Sequence, residues 1–259
     1  MNEWDALDAE LDRWARAGSV ATFWWRDDDA EGPTAALSKL LELSESHAVP
    51  LGLAVIPATV SAKLPRQLKQ YTMTRVLQHG FAHTNHAPSN EKAAEYGTHR
   101  PLSEMTLEIA GGATCLRTLF DERFLPLLVP PWNRVADSLV PMLPSLGLAG
   151  LSTFAARPTR SPAPGLKQVN THVDLIDWRH GRGFRGTAWL VEEITAHLSA
   201  RRREQADGRE PTGILSHHLA HDEGCWRFLD QLFTRTRGRE NVQWLTPGEA
   251  LETGEALDI

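Results

Sequence analysis

The 259 residues are 41% hydrophobic and 23% charged, enough apolar material for a sizeable core and a length normal for one α/β barrel. A formal net charge of -6 excludes the concentrated basic face that nucleic acid or an anionic membrane would demand. The longest apolar stretch, 51–56, is too short to span a bilayer, and the acidic first turns (Glu3, Asp5, Asp8, Glu10, Asp12) lack the basic start of an export signal, so a cytoplasmic location is expected. Cys115 and Cys225 fall in separate helical patterns and offer no disulfide framework.

In chain order, Trp4, Leu7, Leu11 and Trp14 recur at helical spacing and Gly18 ends the pattern, predicting an N-terminal helix over about 2–17 packed outside the rest. Residues 20–25 are β-branched and aromatic and predict a strand. Leu37, Leu40 and Leu41 mark a second helix, ended by Pro50, and 51–56 is the continuous apolar run of a strand buried on both faces. Further strands are predicted at 75–77, 125–129, 148–153, 213–215 and 242–245, with helices at 102–120, 136–146, 187–203 and 222–236. The basic run Arg201-Arg202-Arg203 suits the end of its helix, and 157–165, dense in Pro, Arg and Ser, reads as a surface loop. Thr246-Pro247-Gly248-Glu249 spells a capping box for a last helix. Strands alternating with helices mean parallel strands joined by crossover helices. A dinucleotide-binding fold is disfavoured, because Arg26-Asp27-Asp28-Asp29 would repel a phosphate where that fold needs glycines. The expectation is an α/β chain, a (β/α) barrel forming a single domain over 1–259.

The polar residues suited to chemistry fall where the apolar runs end. In a parallel barrel all such ends open onto one face. The three adjacent aspartates repel one another and need a metal, Arg26 or a proton to neutralise them. At the end of an apolar strand they would point into the barrel mouth, which favours a metal ligand beside a base over a solvated acidic loop. His79 and His83, four apart, would stack on one helix face, and two imidazoles with a carboxylate form a common catalytic zinc set. His86 lies three further on and could face substrate. In Val129-Pro130-Pro131-Trp132 neither proline carries an N–H, so Trp132 offers the first free backbone donor, suited to an oxyanion. His217, His218 and His221 follow 213–215 and suggest proton transfer near neutral pH.

Together, and in this order, these segments resemble the polysaccharide deacetylase family (carbohydrate esterase family 4, the NodB homology domain) over roughly 20–250. The family's motifs correspond here to an Asp-Asp pair in the triplet, His79 and His83, Val129-Pro130-Pro131-Trp132, Asp174-Leu175-Ile176-Asp177-Trp178, and Leu215-Ser216-His217. The resemblance implies a distorted (β/α) barrel with about seven parallel strands. It also implies a divalent metal, usually zinc, on Asp29, His79 and His83, activating water against an acetamide. Asp28 would be the base, the Trp132 N–H an oxyanion donor, and His217 the acid, oriented by Asp177. Trp178 and Leu215 would wall the acetyl pocket. The third aspartate leaves Asp27-Asp28 open as the alternative pair, and His218 is the alternative acid. Val129 stands where the family has arginine, so Arg26, in preference to Arg134, is expected to steady the base. The expected partner is a small-molecule or glycan substrate, an N-acylated sugar or related small amide, with neither nucleic acid nor membrane. Another barrel metallo-amidohydrolase and a non-catalytic sugar-binding relative are the alternatives.

Overall fold

The computed structural model describes residues 2–253; residues 1 and 254–259, which the single-domain expectation also spans, lie outside the described residues. Nine strands pair in parallel: β1 (Ala21–Ala30), β2 (Leu51–Val55), β3 (Thr74–His79), β4 (Phe124–Val129), β5 (Gly150–Leu151), β6 (Lys167–Gln168), β7 (Val173–Asp174), β10 (Thr212–Ser216) and β11 (Val242–Trp244). Their order is β6-β5-β4-β3-β2-β1-β10-β7, with β11 beside the start of β1. The run between β6 and β7 joins the two ends of this list. Val169 N–H bonds Leu151 O and Thr171 N–H bonds Thr153 O on one side, while His172 N–H bonds Gly213 O on the other. One stretch of chain thus closes the sheet into a distorted barrel. A separate antiparallel hairpin, β8 (Ile176–Asp177) with β9 (Gly183–Phe184), stands beyond β7.

Helices α1 (Asp5–Arg16), α2 (Ala35–His47), α3 (Leu64–Leu68), α4 (Leu102–Phe120), α5 (Thr187–Arg202), α6 (Glu223–Arg237) and α7 (Pro247–Glu252) complete the chain. Phe23 and Trp25 join the large cluster that includes helix residues such as Leu37, Ile194 and Phe233. Trp24 instead joins Ala54, Leu77, Leu127, Val129 and Leu251. This is the period of two in a strand: odd residues of β1 face the helices and even residues face the barrel interior. Helix α7 closes that smaller cluster with Ala250 and Leu251, and its capping box forms as the sequence spells it. Outside the sheet, α1 packs on α5 and α6: Glu10 pairs with Arg202 at 2.7 Å, and Trp4 stacks on Phe228. No helix among the described residues is long and apolar enough to cross a membrane.

Two expectations about elements need correction. The helix expected at 136–146 is a 3-10 segment over Val140–Leu146, because Pro141 and Pro144 remove the N–H groups a longer helix needs. The aspartate triplet does not follow the first strand but lies within it, since β1 runs on to Ala30.

Three histidines, His172 buried and His197 and His221 partly buried, lie away from the barrel mouth or behind it. Burial holds His197 down to about 2 and His221 down to about 4, and lowers His172 as well. Free histidine titrates near 6.5. Below that pH the unfolded chain takes up protons that the folded chain refuses, so stability is complete above about 6.5 and is lost as pH falls toward 4. His218 is shifted the other way; its contribution is complete below about 6.5 and is lost only as pH rises, so it does not oppose the acid loss. The free energy of unfolding from denaturant titrations should therefore fall between pH 6.5 and 5, by up to about 1.4 kcal/mol per pH unit per histidine, and the midpoint with it. A flat midpoint across that window would show that these rings are not held neutral.

Candidate active site

The even residues of β1 carry the interior register to the barrel mouth. Arg26, fully buried, follows Trp24 inward, and Asp28 follows Arg26. Arg26 grips Asp28 with both arms of its guanidinium, Nε to Oδ1 at 2.9 Å and Nη2 to Oδ2 at 3.0 Å. The same guanidinium donates to Asn133 Oδ1 at 2.7 Å and Ser152 Oγ at 2.7 Å, which fixes it in place. Arg134, on the rim of the same cavity, does not pair with Asp28 and donates to Ala93 O.

Strict alternation would turn Asp29 outward with Asp27. Instead the pairing of β1 with β2 shifts register between Asp27 and Ala30, and Asp29 takes a φ of 70°. That bulge re-aims Asp29, so two adjacent carboxylates, Asp28 and Asp29, both line the same cavity. Asp27 stays on the outer face, where its carboxylate accepts from Ser216 Oγ at 2.6 Å and His218 N–H at 3.0 Å and meets His218 Nδ1 at 2.5 Å.

His79 ends β3, and His83 lies in the following loop with φ 54°, so the two do not share a helix face as expected. A tight turn at Gly80, φ 56°, brings them together instead. Glu95, buried and not anticipated from the sequence, accepts the N–H groups of Phe81 at 3.0 Å and Ala82 at 2.7 Å and holds that turn. His79 Nε2 lies 3.0 Å and His83 Nε2 3.3 Å from Asp29 Oδ1. Burial opposes charge on Asp29, yet the His79 hydrogen bond and the neighbouring imidazoles hold its carboxyl far below the ordinary range. A Cβ on residue 80 would fall 2.0 Å from Glu95 Oε2 and 2.6 Å from Pro131 Cγ. Gly80→Ala is therefore expected to destabilise the protein by about 2–4 kcal/mol and to loosen the His79–His83 pair. Unchanged thermal stability and metal content in that variant would show the turn to be adaptable.

The tautomer of each ring tests whether these residues suit a cation. His79 Nδ1 lies 3.0 Å from the Val129 carbonyl, which can only accept, so Nδ1 carries a proton and, in the neutral ring, the Nε2 lone pair is the one that faces Asp29. The set fits a divalent ion. A second grouping of His172, His197 and Glu210 fails the same test. There Gly213 N–H donates to His172 Nδ1, so the neutral ring carries its proton on Nε2, facing Glu210. Arg157 and Arg201 stand close by and would further repel a cation.

Beside the triad, with the Trp132 ring 4.5 Å from that of His83, the Pro130-Pro131 segment places Trp132 and Asn133 in consecutive left-handed conformations, φ 55° and 56°. The N–H of Asn133 bonds Pro130 O and that of Arg134 bonds Pro131 O, whereas that of Trp132 has no partner among the described residues. Backbone strain thus concentrates around this cavity, at Asp29, His83, Trp132 and Asn133. On the far wall, interior alternation in β10 brings His217 into the cavity, while Ser216 and His218 face Asp27 behind the sheet. Trp178 meets His217 edge-on at 4.7 Å.

Three expected site residues lie elsewhere. Asp177 does not reach His217: its Oδ1 accepts the N–H groups of Arg179 and His180 and so caps the turn of the β8–β9 hairpin. The carboxylate beside His217 is Asp174, 3.7 Å from Nδ1, which also accepts from Trp178 Nε1 at 2.8 Å. Burial raises the Asp174 carboxyl against the pull of His217. His86 hydrogen-bonds through its backbone to Ala94 and is not on the cavity wall, because the loop turns away after His83. Leu215 is buried within β10, below the cavity.

No family model and no curated protein sequence matches the chain. Solved structures do. A protein from Mycobacterium smegmatis described as a polysaccharide deacetylase superposes with a TM-score of 0.63 at 14% identity, over 91% of this chain and 90% of its own. A peptidoglycan N-acetylglucosamine deacetylase gives 0.56 at 15% identity, over 94% and 97%. A family 4 acetyl xylan esterase from Clostridium thermocellum, bound to a cobalt ion, gives 0.51 at 13% identity, over 88% and 89%. The chain thus shares its fold with solved structures described as polysaccharide deacetylases and family 4 carbohydrate esterases.

Proposed function

We propose that this protein is a metal-dependent hydrolase that removes an acetyl or related acyl group from the nitrogen of an N-acetylated sugar or similar small amide. The observation that carries this reading is the placement of an Arg26-paired carboxylate directly beside the Asp29, His79 and His83 set, with an imidazole across the same cavity. Two imidazoles and one carboxylate leave positions open for water and substrate, which suits zinc. When bound by Asp29, His79 and His83, such an ion lowers the pKa of water toward about 7 and polarises a carbonyl.

The chain's own residues then divide the work. Asp28 accepts a proton from the attacking water as the new C–O bond forms, and Arg26 keeps its carboxylate oriented and balanced in charge. The carbonyl oxygen gains negative charge and accepts a hydrogen bond from the Trp132 N–H, already fixed by its strained turn. His217 gives a proton to the amide nitrogen, the C–N bond breaks, and the amine and the carboxylic acid leave. Asp174 positions the His217 ring, and Trp178 covers it from bulk water.

Metal analysis joined to an acetate-release assay on N-acetylated sugars tests the reading. The expected result is about one divalent ion per chain, lost in His79→Ala and His83→Ala, with acetate formation that needs it. Full metal occupancy in both variants, or no acetate from any acetamide in the metal-replete protein, would overturn it.

A further inference from the structure

The proposed site accounts for every charged group on the cavity wall except two. Asp28 is met by Arg26, Asp29 by His79 and His83, and Asp174 by His217 and Trp178. Arg134 and Arg182 also line the cavity of about 420 Å³, and neither has an acidic partner among the described residues. Arg134 extends from the strained Trp132-Asn133 turn, with one N–H anchored on Ala93 O at 2.7 Å. Arg182 sits at the tip of the β8–β9 hairpin with φ 57°, its backbone N–H tied to Asp177 O. The Asp177 side chain caps the same hairpin, so Asp177 helps present both Arg182 and Trp178 to the cavity. Two exposed arginines therefore line one pocket from different loops of a chain whose net charge is -6. Such a chain repels anions in general, and a local pair of unmatched cations reverses that at one place.

We infer that the substrate carries an anionic group, a phosphate or a carboxylate, bound by Arg134 and Arg182 while its acylated nitrogen lies at the triad. Planar guanidinium groups suit both anions because each can receive two parallel N–H donors. The inference rests on the proposed reading for the reaction, and on the cavity wall alone for the anion.

Three sugars that differ only at one carbon test it: N-acetylglucosamine, its 6-phosphate, and the 6-carboxylate N-acetylglucosaminuronic acid. Each is assayed for acetate release and, separately, for binding by calorimetry. A charged sugar should exceed the neutral one in kcat/KM and in affinity by about tenfold or more at low salt, and the gap should shrink with added salt. The Arg134→Gln/Arg182→Gln double variant should bring charged and neutral sugars to near parity. Arg179→Gln, which removes a cation from the same hairpin but off the cavity wall, should keep the preference. A gain on the phosphate alone assigns a phosphorylated substrate, and a gain on the carboxylate alone an acidic sugar. Equal handling of all three sugars, or a preference that survives the double variant, overturns the inference. Tighter binding of a charged sugar with no acetate from any of them would sink the deacetylase reading and leave the anion site standing.

Discussion

Asp28→Asn is expected to lose about 10⁴-fold in rate, the upper end of what a general base contributes, while retaining its metal. The size follows from two losses at once. The amide cannot accept the proton of the attacking water, and buried Arg26 keeps its charge without the carboxylate that balanced it. Its neighbours should behave differently because the bulge at Asp29 sends each side chain to a different place. Asp29→Asn should release the metal, since Asp29 is the carboxylate at which both imidazoles converge. Asp27→Asn should leave metal and chemistry intact but destabilise the fold by about 2–4 kcal/mol, because His218 and Ser216 lose a buried acceptor. Rates, metal content and denaturation midpoints of the three variants separate these roles. A stable, metal-replete but inactive Asp27→Asn protein would move the base one residue back along the strand.

His217→Ala should cost about 10²–10⁴ in rate with metal content unchanged, as expected for loss of a general acid. His218→Ala should show its main effect on stability instead, since that ring is paired to Asp27 behind the sheet. The carboxylate partner gives a sharper test. Asp174→Asn removes the anion beside His217, so the imidazolium is less stabilised and the alkaline limb of the pH–rate profile should move to lower pH. Asp177→Asn should leave that limb in place and disturb the hairpin turn. The opposite outcome for the two aspartates would restore Asp177 as the partner. An active His217→Ala protein alongside an inactive His218→Ala protein would assign the acid to His218.

Much of this arrangement is legible along the chain because it depends on period and local chemistry. Alternation in an apolar run separates Trp24, Arg26 and Asp28 from Phe23, Trp25 and Asp27, and it separates His217 from His218 in the same way. The prolines at 130 and 131 leave Trp132 as the next backbone donor whatever the fold, and Thr246 with Glu249 caps a helix by themselves. The alternation of strands with crossover helices also follows from hydrophobic pattern.

Tertiary structure decided the rest. No periodicity announces that β1 continues through three aspartates, for a charged strand end is tolerable only where Arg26 of the same strand and His79 and His218 from distant segments meet it. The short strands β6 and β7 carry no apolar run and pair because the barrel offers them edges, while β8 and β9 pair only with each other. Glu95 looks like any loop glutamate until the Gly80 turn brings two N–H groups to it. Asp174 and Asp177 are close in sequence and chemically alike, so their composition cannot say which one faces His217. A hairpin turn takes one and the barrel mouth takes the other, because backbone donors claim Asp177 before any distant imidazole can reach it.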